Sequence, residues 1–198
     1  GRVPFVAVLP DTSSDAASAA LGARCVHDMR TRLAPGGATT PGVYLVTSPS
    51  PREGMTSVAL SLALSFSAAG ARTLIIDADL NGRALTLGFD AGDADGLIEA
   101  AAGAEPNLRH LRAGPSLLTT GRSCPQDACR LAPATLKRLL GSLRERFDVI
   151  IIDGDPTLTG ITSSVIAPQT DGVILAVARG QRPTLALRAA RIIPSLGA

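Results

Sequence analysis

A chain of 198 residues, 45% of them hydrophobic and 18% charged, is long enough for one domain with a real core and too apolar to remain disordered. Its 19 basic and 17 acidic residues are interspersed and sum to a formal charge of +2, so no basic stripe tracks nucleic acid. With no Trp and one Tyr it also offers little on which bases stack, and nucleic acid is set aside as a partner.

The chain opens on GRVPFVAVLP, which lacks the charged-then-apolar pattern of a leader, and PFVAVLP within it reads as a short strand. A polar entry, TSSDAAS, leads to a helix expected over residues 16–33, stopped by APGGATTPG. Next come four apolar runs rich in Val and Ile: VYLVT (43–47), TLIID (73–77), DVIIID (148–153) and GVILAVA (172–178). Runs without alternation are the mark of parallel strands covered on both faces.

After the first run stands TSPSPREGMT and then VALSLALSF, residues 58–66. There Val58, Leu60, Leu62, Leu64 and Phe66 alternate with Ala and Ser, a strand period, whereas the alanine content and the position after a glycine turn favour a helix. The helix is the reading adopted. The apolar stretch 58–69 is broken by Ser61, Ser65 and Ser67 and is too short to cross a bilayer, so the piece reads as soluble, whether whole or cut from a membrane protein.

Residues 88–107, rich in Gly, Ala and acids, are expected to form loops around a short helix. Leu136, Leu139, Leu140, Leu143 and Phe147 fall at i, i+3, i+4, i+7 and i+11, an amphipathic helix, and a shorter one is expected near residues 161–167. Strands alternating with helices imply one α/β domain over residues 1–198, a doubly wound, mostly parallel sheet flanked by helices, with residues 1–41 as an N-terminal strand and helix extension; the loop and the resemblance described below add that it is of P-loop NTPase-like type. Cys25, Cys124 and Cys129 are odd in number and lack the paired spacing of a zinc site, and His27 and His110 lie far from the later pair, so thiols in a reducing compartment are expected.

The chemistry gathers at the strand ends. A phosphate-binding loop converges backbone N–H groups on phosphate at a helix start, and in GxxxxGK[ST] the lysine reaches the β and γ phosphates while the Ser/Thr hydroxyl takes Mg²⁺. The corresponding window here is Pro49–Thr56: Gly54 and Thr56 are in place, Met55 stands at the lysine, and Pro49 and Pro51 cannot donate. Ser50, Arg52, Glu53 and Ser57 complete the candidate nucleotide-binding set with Gly54, Met55 and Thr56. LIIDADL puts Asp77 and Asp79 at the mouth of one strand and VIIIDGDP puts Asp153 at another, where an open α/β sheet binds ligands.

With these motifs the chain resembles the cytoplasmic domain of the bacterial tyrosine kinases that accompany polysaccharide co-polymerases, within the deviant Walker A group of ATPases. TSPSPREGMT is similar to the family's TSxxPGEGKS, LIIDADLNGR to its LLIDADLRRP and IIIDGDP to its VIIDTPP; GPSLLTTGRSCPQDACRLAPATLKRLLGSLRERFD and TDGVILAVARGQ are similar to its intervening and following segments. The resemblance implies ATP or ADP with Mg²⁺ as cofactors, Thr56, Asp77 and Asp153 as metal-holding residues, and Asp77 with Asp79 serving the phosphoryl acceptor. It also implies a membrane-spanning co-polymerase or export machinery as partner, a place at the cytoplasmic face of the inner membrane, and a homo-oligomer as a possibility.

Departures from the family pattern fall on the loop, where Met55 replaces the lysine and Arg52 a glycine, and on its ExxRxxR helix, matched by Arg24, His27 and Arg30 with the last alone retained. The sole tyrosine, Tyr44, falls in a strand expected to be buried, so a tyrosine-rich tail is absent from this sequence. The leading expectation is a degenerate, pseudokinase-like P-loop domain acting as a structural or regulatory module in exopolysaccharide or capsule biosynthesis or export, its Asp77 and Asp79 vestigial. The alternatives are an active tyrosine kinase or ATPase with an altered loop, in which Arg52 substitutes for the lysine, and a positioning ATPase of the same superfamily.

Overall fold

The computed structural model describes residues 7–10, 16–91, 94–112, 114–122 and 131–195. In chain order the elements are α1 (Ala16–Leu33), β1 (Gly42–Thr47), α2 (Met55–Ala68), β2 (Thr73–Asp77), α3 (Ala84–Gly88), α4 (Leu97–Ala101), β3 (Leu108–His110) and β4 (Ser116–Leu118). They continue with α5 (Pro133–Arg146), β5 (Val149–Asp153), α6 (Thr162–Ile166), β6 (Gly172–Leu175) and α7 (Pro183–Ser195). The strands form one six-stranded sheet ordered β3-β4-β2-β5-β1-β6. All neighbours pair parallel except the edge hairpin of β3 and β4.

The unbroken apolar runs follow from burial on both faces. On one side Tyr44, Val46, Ile75, Val149, Ile151 and Ile174 pack beneath α1 and α2. The residues between them, Val43, Leu45, Leu74, Ile76, Ile150 and Ile152, pack beneath α4, α5 and α6. A pleated strand turns successive side chains to opposite faces, so each strand supplies both cores.

In α2 the helix prevails over the alternation of its large residues. Met55, Ala59, Leu62, Ala63 and Phe66 are buried, at i, i+4, i+7, i+8 and i+11, and alanines within that stripe let the helix backbone approach the sheet closely. Val58 and Leu60 are only partly buried, at the cluster's margin. The α1 stripe of Val26 and Met29 closes over the same layer, and Arg30 donates to the Ser65 hydroxyl of α2 at 3.2 Å. Tyr44 is held inside β1, its hydroxyl donating to the Leu33 carbonyl at 2.8 Å and its ring stacked on Phe66.

Several expectations are corrected. No strand forms over residues 7–10, the described part of the one read in PFVAVLP. The last run is a strand only to Leu175; the Ala176 amide still donates to the Thr47 carbonyl at 2.8 Å, and by Ala178 the backbone bonds to Glu53 of the loop instead. Phe147 leaves α5 in an extended conformation rather than continuing it. Residues 88–107 do carry a short helix, α4, but β3 and β4 went unread because three-residue strands show no period. Cys124 and Cys129 lie outside the described residues.

Phe66 is fully buried at the centre of the α1–α2–sheet layer. Phe66→Ala should cost about 3–5 kcal/mol in urea denaturation, and Tyr44→Phe, which loses one hydrogen bond, about 1 kcal/mol.

Candidate functional site

Because β5 pairs in parallel with both β1 and β2, the strand ends meet at one edge, with Asp153 opposite both Val46 and Asp77. From the end of β1 the chain turns through residues 48–54 into α2. Two of those residues take left-handed backbone conformations, Arg52 at φ 66° and Gly54 at φ 79°. The conformation that suits glycine is thus kept at Arg52, at a cost of roughly 1–2 kcal/mol for an L residue.

The loop is tied to the rest of the fold by its own side chains. Glu53 is buried and accepts hydrogen bonds from the Ala178 amide at 3.0 Å and from the Gln181 side chain. The Ser48 hydroxyl donates to the Ser50 carbonyl at 2.7 Å and also contacts the Met55 sulfur at 3.7 Å. Met55, at the lysine position, is 8% exposed and belongs to the apolar layer under α1 and α2.

Above the strand ends lies an open cleft of about 680 Å³. Arg52, Glu53, Gly54, Met55, Thr56 and Ser57 line one wall, Asp79 and Asn81 another, and Pro156, Thr159 and Gly160 a third. Of the expected loop residues Ser50 alone does not line it. Asp77 and Asp153 lie fully buried beneath the cleft rather than on its surface.

The three expected carboxylates have different surroundings. Asp77 is engaged by the protein: one oxygen accepts from both the amide and the hydroxyl of Thr86, each at 2.8 Å, and the other from the Asp79 amide at 3.3 Å. Thr86 is held in turn by the Thr120 amide at 3.0 Å, and Arg83 reaches the Thr120 hydroxyl and the Gly121 carbonyl. Burial nevertheless pushes the Asp77 carboxyl up to about 6. Asp79 accepts from the Asn81 and Gly82 amides at 3.1 and 2.9 Å, a local turn, and burial raises its pKa as well.

Asp153 differs from both, since neither of its buried oxygens has a hydrogen-bond partner among the described residues. Burial pushes it up to about 8, with the nearby charges of Asp77 and Asp79 adding to the rise and the Thr56 hydroxyl opposing it from beyond ordinary hydrogen-bond reach. Two orphaned carboxylate oxygens close to a threonine hydroxyl are the donor set of a hard cation. No group of three His, Cys, Asp or Glu side chains among the described residues is arranged to hold a metal alone, and Mg²⁺ at a nucleotide needs only one or two carboxylates, the phosphates and water completing its shell. Thr56 and Asp153 therefore fit Mg²⁺, whereas Asp77 is committed to α3.

Sequence reading passed over Asp155. It is buried, accepts from the Thr162 and Ser163 amides at 2.9 and 2.7 Å, anchors the start of α6, and its charge adds to the rise at Asp79. The signal available for it was the second acid of IIIDGDP, where the resembling motif has proline. Of the helix pattern read at Arg24, His27 and Arg30, the last is spent within the chain, on Ser65 and His27.

No family model matches the chain. It is 30% identical over 148 residues to tyrosine-protein kinase CpsD of Streptococcus agalactiae, covering 70% of this chain and 63% of that one. To tyrosine-protein kinase ptk of Acinetobacter johnsonii it is 33% identical over 138 residues, 68% of this chain and 19% of that one. The chain thus spans less than two thirds of the length of these relatives. Among solved structures, the VpsO kinase domain superposes with a TM-score of 0.79 at 28% identity over 90% of each chain. Cobyrinic acid a,c-diamide synthase from Mycobacterium smegmatis with bound ADP and magnesium shares the fold at a TM-score of 0.64 and 24% identity, over 79% of this chain and 69% of that one.

Two stability measurements test this geometry. An acid whose folded pKa lies near 8, against about 4 unfolded, binds more protons folded than unfolded between those values, so stability falls as pH rises through that window. Asp153→Asn should flatten the fall and raise the thermal midpoint at the alkaline end of the window; an unchanged slope would show that the carboxylate is not strained. Arg52→Gly should stabilise the protein by up to about 1 kcal/mol, the relief at a left-handed site less the added unfolded-state entropy.

Proposed function

We propose, from the premise that the chain is a homologue of the bacterial tyrosine-protein kinases, that it is a degenerate member whose nucleotide site has lost efficient phosphoryl transfer. In this reading it serves as a structural or regulatory module of exopolysaccharide or capsule production, at the cytoplasmic face of the membrane and in contact with a membrane-spanning export partner. No helix among the described residues is long and apolar enough to cross a membrane, so the membrane part of such an assembly would be contributed from outside this segment.

Met55 carries the reading. A lysine at the start of α2 would carry its ammonium into the cleft toward phosphate; Met55 instead packs its side chain into the apolar layer beside Ser48. Losing a charge-assisted hydrogen bond costs about 1.5–3 kcal/mol, on the order of ten- to hundredfold in affinity. Losing a transition-state donor costs about a hundred- to thousandfold in rate.

Asp77 supports the same conclusion. A carboxylate expected to serve a phosphoryl acceptor is buried and bonded to Thr86 and Asp79, where it fixes α3 instead of facing the cleft. A second reading, a working ATPase or tyrosine kinase with an altered loop, is favoured by the open cleft and the unpaired oxygens of Asp153. In that case Thr56 and Asp153 would hold Mg²⁺, which would neutralise phosphate charge, and Arg52 on the cleft wall would take the lysine's part.

Isothermal titration with ADP and ATP in the presence of Mg²⁺ separates the two. The wild type should give no heat at micromolar nucleotide, and Met55→Lys should bind, since the loop is already shaped by Glu53 and Gly54. Micromolar binding by the wild type, weakened at least about tenfold by Arg52→Ala, would replace the first reading with the second.

A further inference from the structure

Acidic residues end at Asp171: from Gly172 to Ala198 the sequence holds Arg179, Arg182, Arg188 and Arg191 and no Asp or Glu. None of these four arginine side chains has an ion pair among the described residues. Two of them fall on one stripe of α7, where Thr184, Leu187, Arg188 and Arg191 recur at i, i+3, i+4 and i+7 and are all exposed. The helix buries Ala189 on its inner side. Leu187 is 58% exposed at the edge of the basic stripe, next to Arg191, and Val177, in the approach to the helix, is 44% exposed.

We propose that this face of α7, with Leu187 beside Arg191 and Arg188 on one exposed stripe, docks on an anionic phospholipid surface. A helix that mixes unpaired arginines with an exposed leucine on its outer face, and has no acid to repel phosphate, has the charge and polarity of an interfacial helix. Guanidinium groups meet phosphate oxygens in pairs, and each basic residue near such a surface adds an increment that salt screens. Among the described residues the shallow recess on this stripe is lined by α7 alone, a one-sided surface that suits a flat, charged partner.

The approach to this face is tied to the loop at the cleft. The Gln181 side chain accepts from the Arg182 amide at 2.8 Å while it donates to Glu53, so the head of α7 is bonded to the loop at the cleft. The proposal does not depend on whether the cleft binds nucleotide.

Flotation of this chain with vesicles of phosphatidylcholine alone, and of phosphatidylcholine with phosphatidylglycerol, tests it. Binding is expected to the anionic vesicles only and to weaken in high salt. The pair Arg188→Glu with Arg191→Glu should lower it by at least about thirtyfold, since loss of the two positive charges alone accounts for about one and a half decades and the reversal adds to it. Leu187→Ala should lower it several-fold, and Arg188→Gln with Arg191→Gln, a milder pair, guards against a folding defect seen by circular dichroism. Failure to float with anionic vesicles at low salt, or equal binding by both folded arginine pairs, would overturn the proposal. So would retention on immobilised polyglutamate without vesicle binding, which would assign the face to an acidic protein.

Discussion

The cleft depends on the position of β5, a strand buried on both faces and paired in parallel between β1 and β2. Parallel pairing brings all three strands to the same edge with their C-terminal ends aligned, and the register sets Asp153 beside Asp77. The same burial that makes the sheet stable removes water from these carboxylates. Asp77 is compensated by Thr86, Asp79 by the amides of its own turn and Asp155 by the start of α6. Asp153 alone is left without a hydrogen-bond partner among the described residues, and burial raises its pKa accordingly.

The loop above it has replaced one kind of support with another. Where a lysine would join loop to phosphate, Met55 joins loop to core, an exchange of a ligand contact for buried apolar area worth about 1.5–3 kcal/mol for a side chain of this size. Glu53 adds a second tether across to Ala178 and Gln181. The loop is thus held to the core by Met55 and to the segment after β6 by Glu53.

What could be read from sequence followed the strength of its periodic signals. The four Val- and Ile-rich runs specified the sheet, because residues apolar on both faces have few other places to go. The amphipathic spacing from Leu136 to Leu143 specified α5. In α2 the spacing of the large residues pointed to a strand, whereas the alanine content and the place after the glycine turn carried the helix reading, and Ala59 and Ala63 are buried against the sheet layer. The candidate site was legible as positions, with Thr56, Asp77, Asp79 and Asp153 all at one edge of the sheet. Its chemistry was not, since whether an aspartate faces the cleft or a buried threonine depends on Thr86 and Thr120, which are distant in sequence and belong to no motif. Asp155 was missed for the same reason: its partners lie seven and eight residues further on.

The tether at Glu53 has a consequence for timing. A phosphate loop that takes its shape from the ligand changes when the terminal phosphate leaves, and neighbouring segments can respond to that change. Here Glu53 and Gln181 give the loop its shape from within and fasten it to the head of α7. A ligand that makes the same contacts with every state of the loop has no leverage over those states. Any change in the shape of the loop therefore has to break the bonds of Glu53 or carry the segment before α7 with it, so the two move as one or not at all.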